Sequence, residues 1–313
     1  MTESEKMLRN PPHIKNPDTV NGMMADVALA LFPVFVWGIY SFGARALAVI
    51  CVTVIAAVLT EVLFSLAVNK KIVVHDASSA ITGLILSLIL PVSIPLYSAA
   101  LGAVFAVLVV KCLFGGLGHN FLNPALAGYA FLKLSFPDAM NVYPEGLSGV
   151  SVDPLTELSL GETPTESLFD LLVGRCGGSI GTVSALLIFA GFVYLLIRGT
   201  VTWHIPVIYI SVFILLSVVL TDDASPFVYA ASEVLSGTLI FVAVFMATDP
   251  VTSPSSPFGK ILYAAVAGCV TYALRVYGGE TDGAAYTILL MNILSPLFDK
   301  LTKPKIFGGV RHE

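Results

Sequence analysis

The sequence has little charge. Only 12% of its 313 residues are Asp, Glu, Lys or Arg, whereas soluble domains carry about 25%. The net charge of −5 is small and gives no basis for binding nucleic acid. Hydrophobic residues make up 56% of the chain, and the mean hydropathy is +0.88. This composition excludes an ordinary soluble domain and indicates a polytopic membrane protein.

Cysteine is also scarce. The four cysteines, Cys51, Cys112, Cys176 and Cys269, are widely spaced, without a CxxC or Cys/His ligand pattern. We therefore expect no metal site made by this chain alone. We expect the cysteines to be buried thiols that pack as small apolar side chains. An iron–sulphur cluster shared with another subunit stays open. Residues 1–26 are polar and show no cleavable signal peptide, so we expect the first span to act as its own signal.

Long apolar runs are abundant and fall into two groups of five. They lie at about 24–42, 44–68, 79–91, 96–113 and 124–136, and then at 179–197, 202–220, 227–247, 260–277 and 283–299. The predicted domains are a cytoplasmic tail over 1–23, a first membrane repeat over 24–136, an outer loop over 137–178, a second membrane repeat over 179–299 and a cytoplasmic tail over 300–313. The predicted fold is an all-α polytopic membrane protein with about ten transmembrane helices. A span needs roughly 20 residues, so 79–91 and 124–136 are predicted to be half-helices or re-entrant segments.

The two groups share a plan of broken helices. Ser232–Leu239 follows the pattern of Ser79–Leu84, and Tyr277-Gly-Gly plays the part of Phe114-Gly-Gly. Because each group has an odd number of spans, the second must enter the membrane from the opposite side. The sequence therefore predicts two inverted repeats, and such paired, interrupted segments point to a site at the repeat interface.

Basic residues set the predicted orientation. With the N-terminus in the cytoplasm, the inner side holds twelve of the sixteen Lys and Arg residues, as the positive-inside rule requires. The outer side keeps Arg45, Lys133, Arg175 and Arg275. Both termini are then cytoplasmic, and the acidic loop 137–178 lies outside.

Four carboxylates are candidates for an ion pathway. Glu61 and Glu233 lie inside predicted spans, where a charge is costly and functional by default. Asp249 and Asp282 lie at helix breaks, where a carboxylate and freed carbonyls can bind a small cation. The alternatives stay open: the glutamates are neutral or near an interface, and the aspartates cap helix ends. No catalytic residue and no metal ligand is predicted.

Several runs carry a resemblance. They are PHIKNPDTVNGMMADVALALFP, TGLILSLILP, FGGLGHNFLNPALAGYAFL, ATDPVTSP and YGGETDGAAYTILLMNILSPL. Together they resemble the D subunit of the Rnf complex, and they are similar to the B subunit of the sodium-pumping NADH:quinone reductase. The resemblance extends from Pro12 to about Asp299.

The resemblance implies a membrane electron-transfer subunit of a multi-subunit, redox-driven Na+ or H+ pump. In such a pump electrons pass between ferredoxin and NAD in the cell (inner) membrane. It implies other membrane and peripheral subunits, and lipid, as partners. It also implies FMN, joined to a hydroxyl on the outer side by a phosphoester bond. A second flavin such as riboflavin between the helices stays open.

The implied attachment motif, D-x-x-[ST]-G-A-T, falls on residues 153–159 of this chain. Asp153 and Thr156 fit the motif, Ser159 stands at the acceptor position, and Glu157-Leu158 replace Gly-Ala. Thr163 is a further candidate acceptor. FMN is therefore expected at Thr156, Ser159 or Thr163, with non-covalent or absent flavin as alternatives.

Two other functions compete with this one. Inverted five-span repeats also build stand-alone transporters or channels for small solutes. The altered attachment motif also fits a flavin-free scaffold subunit of the same kind of complex. Yellow colour, flavin fluorescence and co-purifying partners distinguish these readings.

Overall fold

The protein is all-helical in the residues that its computed structural model describes, which are 19–69, 77–143, 153–160, 164–221, 225–278 and 282–303. Within these ranges the only β-type pairing is an isolated bridge between Pro91 and Ser179. The predicted all-α class is confirmed. Most of the two predicted tails, and Thr163, lie outside the described residues.

The first half begins with one long helical run. Its elements are α1 (Val20–Asn69), α2 (Ser78–Ile89), α3 (Leu96–Val104) with a π-helical continuation (Phe105–Cys112), and α4 (Pro124–Ser135). Inside α1, Gly43 has φ 69° and ψ −156°, which divides the run into two arms. Glycine is needed there because other residues rarely adopt a positive φ. The division coincides with the boundary between the predicted spans 24–42 and 44–68.

Short helices connect the halves, and longer ones follow. The connecting elements are α5 (Pro137–Met140), α6 (Pro154–Ser159) and α7 (Leu168–Val173), and the second half has α8 (Ala185–Arg198), α9 (His204–Leu220), α10 (Pro226–Leu235), α11 (Leu239–Phe245), α12 (Pro257–Tyr277) and α13 (Ala284–Leu301). The predicted span 227–247 is thus two helices, α10 and α11, bent by 58°. The bend contains Gly237, whose φ is +72°.

The predicted span 179–197 becomes helical only at Ala185. The residues before it run against the end of α2 instead. The N–H of Ile180 donates to the carbonyl of Leu90 at 3.0 Å, and the N–H of Gly181 donates to Leu88 at 2.7 Å. These residues satisfy carbonyls that the end of α2 leaves free, and the helix begins only after them.

Several helices are too short to cross a bilayer alone. α2 and α4 have 12 residues each, or about 18 Å, against a hydrocarbon core of about 30 Å. Two helical runs in the described residues are long and apolar enough to span, Val20–Val68 and α12, or three if α10 and α11 form one broken span. The shorter apolar helices include α2, α8 and α9. The abundance of apolar helices identifies a membrane protein.

The two groups of helices pack against each other at two places. α1 contacts α8, and α4 contacts α13, so the first helices of the groups meet and so do the last. Within the groups, α1 packs on α2 and α3, and α9 packs on α12. Leu86, Leu88 and Phe241 are fully buried, which joins both groups in one apolar core.

The closest packing of α2 on α1 depends on Gly83. A Cβ placed there comes within 2.9 Å of the Ala57 Cβ and of the Val54 Cα. We expect Gly83→Ala to overpack this contact and to destabilise the protein by about 1–3 kcal/mol. Gly22→Ala is the matched control, because its Cβ meets only the flexible Thr19 hydroxyl at 3.3 Å. Thermal unfolding of the purified protein measures both, and equal melting temperatures contradict the packing account.

Candidate functional site

A lysine is buried between helices of the first half. The Lys111 ammonium donates to Glu61 Oε1 at 2.7 Å, to Ser78 Oγ at 2.5 Å and to Ser79 Oγ at 2.9 Å. Lys111 is 2% exposed and Glu61 is 9% exposed. A charge in this setting is tolerated only when it is paired and hydrogen-bonded, and all three ammonium hydrogens have acceptors here.

Local structure explains how these side chains meet. Glu61 is on the second arm of α1, the two serines begin α2, and Lys111 is on the π-helix that continues α3. The second carboxylate oxygen of Glu61 is buried and has no hydrogen-bond partner among the described residues. Glu61 was predicted for the ion pathway, whereas Lys111 was counted only among the basic residues of the inner side, and its burial beside Glu61 was not predicted. Its position inside the apolar run 96–113 was the available signal.

A second charged cluster lies in the second half. Arg275 Nη2 is 3.5 Å from Asp282 Oδ1, and Arg275 Nη1 donates to the backbone carbonyl of Glu233 at 2.7 Å. The guanidinium stacks over the Phe213 ring at 5.0 Å. The Glu233 carboxylate accepts from the Ser217 hydroxyl at 2.7 Å. The predicted residues Glu233 and Asp282 therefore both contact Arg275, which was predicted only as a basic residue of the outer side.

Asp282 also has the contacts of a capping residue. Its Oδ2 accepts from the N–H of Thr238 at 2.6 Å, where α11 begins, and its Oδ1 accepts from Ala284 at 3.4 Å, where α13 begins. A carboxylate at a helix start satisfies free N–H groups and interacts favourably with the helix dipole. The capping alternative for Asp282 thus has direct structural support, and cation binding there stays a prediction.

The two interrupted segments of the halves face one cavity of about 360 Å³. Asn120 and Asn123 come from the glycine-rich stretch of the first half, and Thr248 and Asp249 come from the second. Lys111 also lines this cavity. The walls are mostly apolar, with these few polar groups, which is the usual character of a small-molecule pocket.

Asp249 holds its own turn. Its Oδ1 accepts from the N–H of Val251 at 3.1 Å, and its Oδ2 accepts from the Thr252 hydroxyl at 3.3 Å. This is the side-chain-to-backbone pattern by which Asp stabilises turns. Asp249 was predicted for the ion pathway, and the structure places it in a turn at the cavity wall, apart from the Arg275 cluster.

Asn123 ties the halves together beside the cavity. Its side chain caps α4 by accepting from Ala125 at 3.1 Å and Leu126 at 3.3 Å. With the Asn292 amide oriented to satisfy both of its groups, the Asn292 oxygen accepts from the Asn123 N–H at 3.0 Å. This hydrogen bond joins the start of α4 to α13.

A small polar pocket lies beside the predicted attachment segment. It measures about 10 Å³, roughly the space of one water, and Asp153, Asp282, Ser236 and Thr238 line it. The hydroxyls of Ser236 and Thr238 are buried without a partner among the described residues. Burial raises the pKa of Asp153 to about 7, and the negative charge of Asp282 adds to the shift.

The predicted attachment residues are split between buried and exposed positions. Asp153 precedes α6 and is buried, Thr156 is half-buried, and Ser159 at the end of α6 is exposed. The Ser159 hydroxyl donates to the carbonyl of Thr156 at 2.7 Å. Glu157, which replaces a motif glycine, accepts from the N–H of Thr165 at 2.9 Å. Ser159 is the most accessible of the described candidates, and Thr163 is outside the described residues.

A polar contact that was not predicted joins α1 to α8. Asp26 accepts from Arg198 Nε at 3.0 Å, from the Tyr194 hydroxyl at 3.0 Å and from the Thr200 hydroxyl at 3.2 Å. Asp26 lies in the apolar run MMADVALALFP, where a single acidic residue was the available signal.

Metal ligands do not gather in the part of the chain that the structure describes. No group of three His, Cys, Asp or Glu side chains there is arranged to hold a metal ion, and the four cysteines are free thiols. Polar groups are available to a small-molecule ligand in the cavity and in the pocket beside Asp153.

The fold and these sites define an integral membrane protein with broken helices, buried ion pairs and a cavity shared by its two halves. The chain belongs to the NQR2, RnfD, RnfE family, which matches residues 7–308. It is 38% identical to the D subunit of the Na(+)-translocating ferredoxin:NAD(+) oxidoreductase complex of Acetobacterium woodii, over 98% of this chain and 97% of that protein. It is 37% identical to the D subunit of the proton-translocating ferredoxin:NAD(+) oxidoreductase complex of Clostridium ljungdahlii, over 97% and 96%. The D subunit of the ion-translocating oxidoreductase complex of Shewanella amazonensis is 33% identical, over 96% and 97%.

The raised pKa of Asp153 predicts a pH dependence. A folded-state pKa of about 7, against an ordinary value of 3.8, means that folding favours the protonated form. The protonated Asp153 stabilises the folded protein fully at pH values below its ordinary pKa of 3.8. This stabilisation is lost as the pH rises through about 7. Asp153→Asn removes this titration, so the stability of the variant relative to wild type is expected to grow from about pH 4 to about pH 7 and to stay constant above it.

Thermal unfolding at several pH values measures the effect. The exposed Asp138→Asn serves as the control and is expected to leave the pH profile unchanged. Parallel profiles for wild type and Asp153→Asn contradict the assignment of a buried, protonated Asp153.

Proposed function

We propose that the chain is the membrane electron-transfer subunit of a multi-subunit, redox-driven cation pump of the ferredoxin:NAD oxidoreductase type. The observation that carries the proposal is the shared cavity. Its walls come from FGGLGHNFLNPA and ATDPVTSP, two runs that are distant in sequence and that carry the resemblance to the Rnf protein. Full-length similarity to members of such complexes supports the same function.

FMN is the first cofactor of the proposal, attached through Ser159 on the outer side. The exposed Ser159 hydroxyl at the end of α6 is free of steric cover, as a phosphoester acceptor must be. When bound, FMN exchanges one or two electrons. The pocket beside Asp153 holds only a water-sized group, so it does not receive the flavin ring. The chain's own contribution is to present the hydroxyl and to keep Asp153 buried behind it.

A second flavin, riboflavin, is proposed for the shared cavity. A cavity of about 360 Å³ with apolar walls is within the usual size of about 300–1,000 Å³ for small-molecule sites. The buried Asn120 and the neighbouring Asn123 supply polar groups at one wall. Lys111 places a positive charge at the cavity, which favours a ligand that gains negative charge on reduction.

The proposal includes ten spans in two inverted repeats. The corresponding helices of the two halves carry matching polar residues. The helix that has the carboxylate in one half has the hydroxyl in the other half. Glu61 on α1 faces Ser79 on α2 through Lys111. In the second half, Ser217 on α9 bonds Glu233 on α10, and Arg275 on α12 takes the place of the lysine. Lys111 lies four residues before Gly115-Gly116, whereas Arg275 lies three residues before Gly278-Gly279. The segment that carries Lys111 is π-helical, and a π-helical turn accommodates one more residue than an α-helical turn.

The proposed orientation puts both termini in the cytoplasm. Basic residues predicted to be inside contact other inner residues, as Arg198 does with Asp26. Those predicted to be outside contact outer residues, as Arg45 does with the carbonyl of Ile94 at 2.8 Å. The pairs are thus consistent with two ends of one membrane protein.

Intact-mass and peptide-mass analysis of the chain, purified with its partners from the native membrane, tests the flavin assignment. We expect an FMN adduct on the peptide that holds Ser159, lost in Ser159→Ala and retained in the matched control Thr156→Ala. An adduct on another hydroxyl contradicts the Ser159 assignment. No adduct and no flavin released on denaturation favours the flavin-free scaffold or the solute transporter.

The cavity flavin has its own test. Asn120→Ala removes a polar group from the cavity wall, so it is expected to lower the flavin released on denaturation several-fold and to leave the covalent adduct intact. Thr82→Val, also on the wall, is the control because the Thr82 hydroxyl is already bonded to the Ser78 carbonyl. Equal released flavin in wild type and Asn120→Ala contradicts a flavin in this cavity.

A further inference from the structure

The environment of the Lys111 ammonium has the form of a coordination shell. Three oxygens, from Glu61, Ser78 and Ser79, lie 2.5–2.9 Å from Nζ. One is a carboxylate and two are hydroxyls, which are the hard oxygen ligands that bind small cations. The shell is closed to solvent, because Lys111 is 2% exposed and Glu61 is 9% exposed.

The shell also contains more acceptors than the ammonium uses. The second carboxylate oxygen of Glu61 is buried without a hydrogen-bond partner among the described residues. An ammonium has three hydrogens and directs each to one acceptor, whereas a metal cation has no such limit. A carboxylate with an unused oxygen therefore suits a second kind of occupant.

Lys111 lies on an irregular helix segment that leads into a glycine-rich turn. Residues Phe105–Cys112 are π-helical, a form found mostly at functional positions within helices. Gly115 and Gly116 follow directly, with φ of 114° and 92°. A Cβ at Gly116 meets nothing within 4 Å, so this turn is not fixed by packing.

A place for the displaced ammonium is also present. Lys111 lines the shared cavity, and Asp249 is the one carboxylate among the described residues of its wall. A cation in the shell would replace the charge of Lys111 beside Glu61. An ammonium displaced into the cavity would have Asp249 as a counter-charge on the wall.

We propose that Glu61, Ser78 and Ser79 form a monovalent-cation site that the chain's own Lys111 fills in this structure. Lys111 is then a tethered competitor of the cation: binding requires its ammonium to leave, and its return expels the ion. A role for this site in pumping rests on the proposed function. Cation binding at the site does not depend on that function.

Removal of the tethered charge tests the site directly. The probe is radioactive Na+, measured by equilibrium binding to the purified complex in a choline buffer. Lys111→Met leaves Glu61 and both hydroxyls without their ammonium, so at Na+ concentrations too low to displace Lys111 in wild type the variant is expected to bind one additional Na+ per complex. The matched control, Glu61→Gln with Lys111→Met, lacks the carboxylate and is expected to bind no additional Na+ at those concentrations. Equal Na+ binding by Lys111→Met and wild type at every Na+ concentration overturns the proposal.

Assembly of the variant gives a second readout. If Lys111→Met leaves an unpaired carboxylate, Na+ is expected to rescue assembly that fails in choline. Failure of assembly in both salts, while the double variant assembles, means that a cation does not replace the ammonium and overturns the proposal. Flavin content is measured in the same samples. A flavin-loaded Lys111→Met complex without additional Na+ refutes only the cation site, and additional Na+ without flavin refutes only the electron-transfer function.

Discussion

The bilayer core offers no water, so each break in a helix of this protein is closed by groups of the protein itself. The free carbonyls at the end of α2 accept from Ile180 and Gly181. The first N–H groups of α11 and α13 reach the Asp282 carboxylate. Asn123 caps α4. These closures link segments that are distant in sequence, and they bring the interrupted runs of both halves to one cavity.

The same constraint governs the charges. Glu61 is neutralised by Lys111, and Asp282 by Arg275, because an unpaired buried charge is far more costly than a paired one. Pairing also makes each cluster sensitive to any change of charge nearby. In the proposed function, a flavin in the shared cavity would change the potential at Lys111, which lines that cavity, when it gains or loses electrons. The proposed site at Glu61 would then be coupled to electron transfer.

Helix positions were predictable from hydropathy, and their tertiary partners were not. The runs 260–277 and 283–299 correspond to α12 and α13, and the separation of the first two spans falls at Gly43. Residues 179–184 were counted as the start of a span, yet they close the end of α2. Lys111 and Arg275 lie near the ends of apolar runs, where loop and buried positions look alike in sequence. Only the contacts that Lys111 and Arg275 make with other helices distinguish a buried position from a loop position.

The account depends most on the two charged clusters lying near opposite faces of the membrane. The direct measurement is the labelling of single cysteines in a cysteine-free background with a membrane-impermeant maleimide. Ser159→Cys probes the proposed outer end beside Asp153, and Lys260→Cys, in the first turn of α12, probes the proposed inner end. The account predicts that the first is labelled in intact cells and the second only after the membrane is opened. Labelling of both positions from the same side contradicts it.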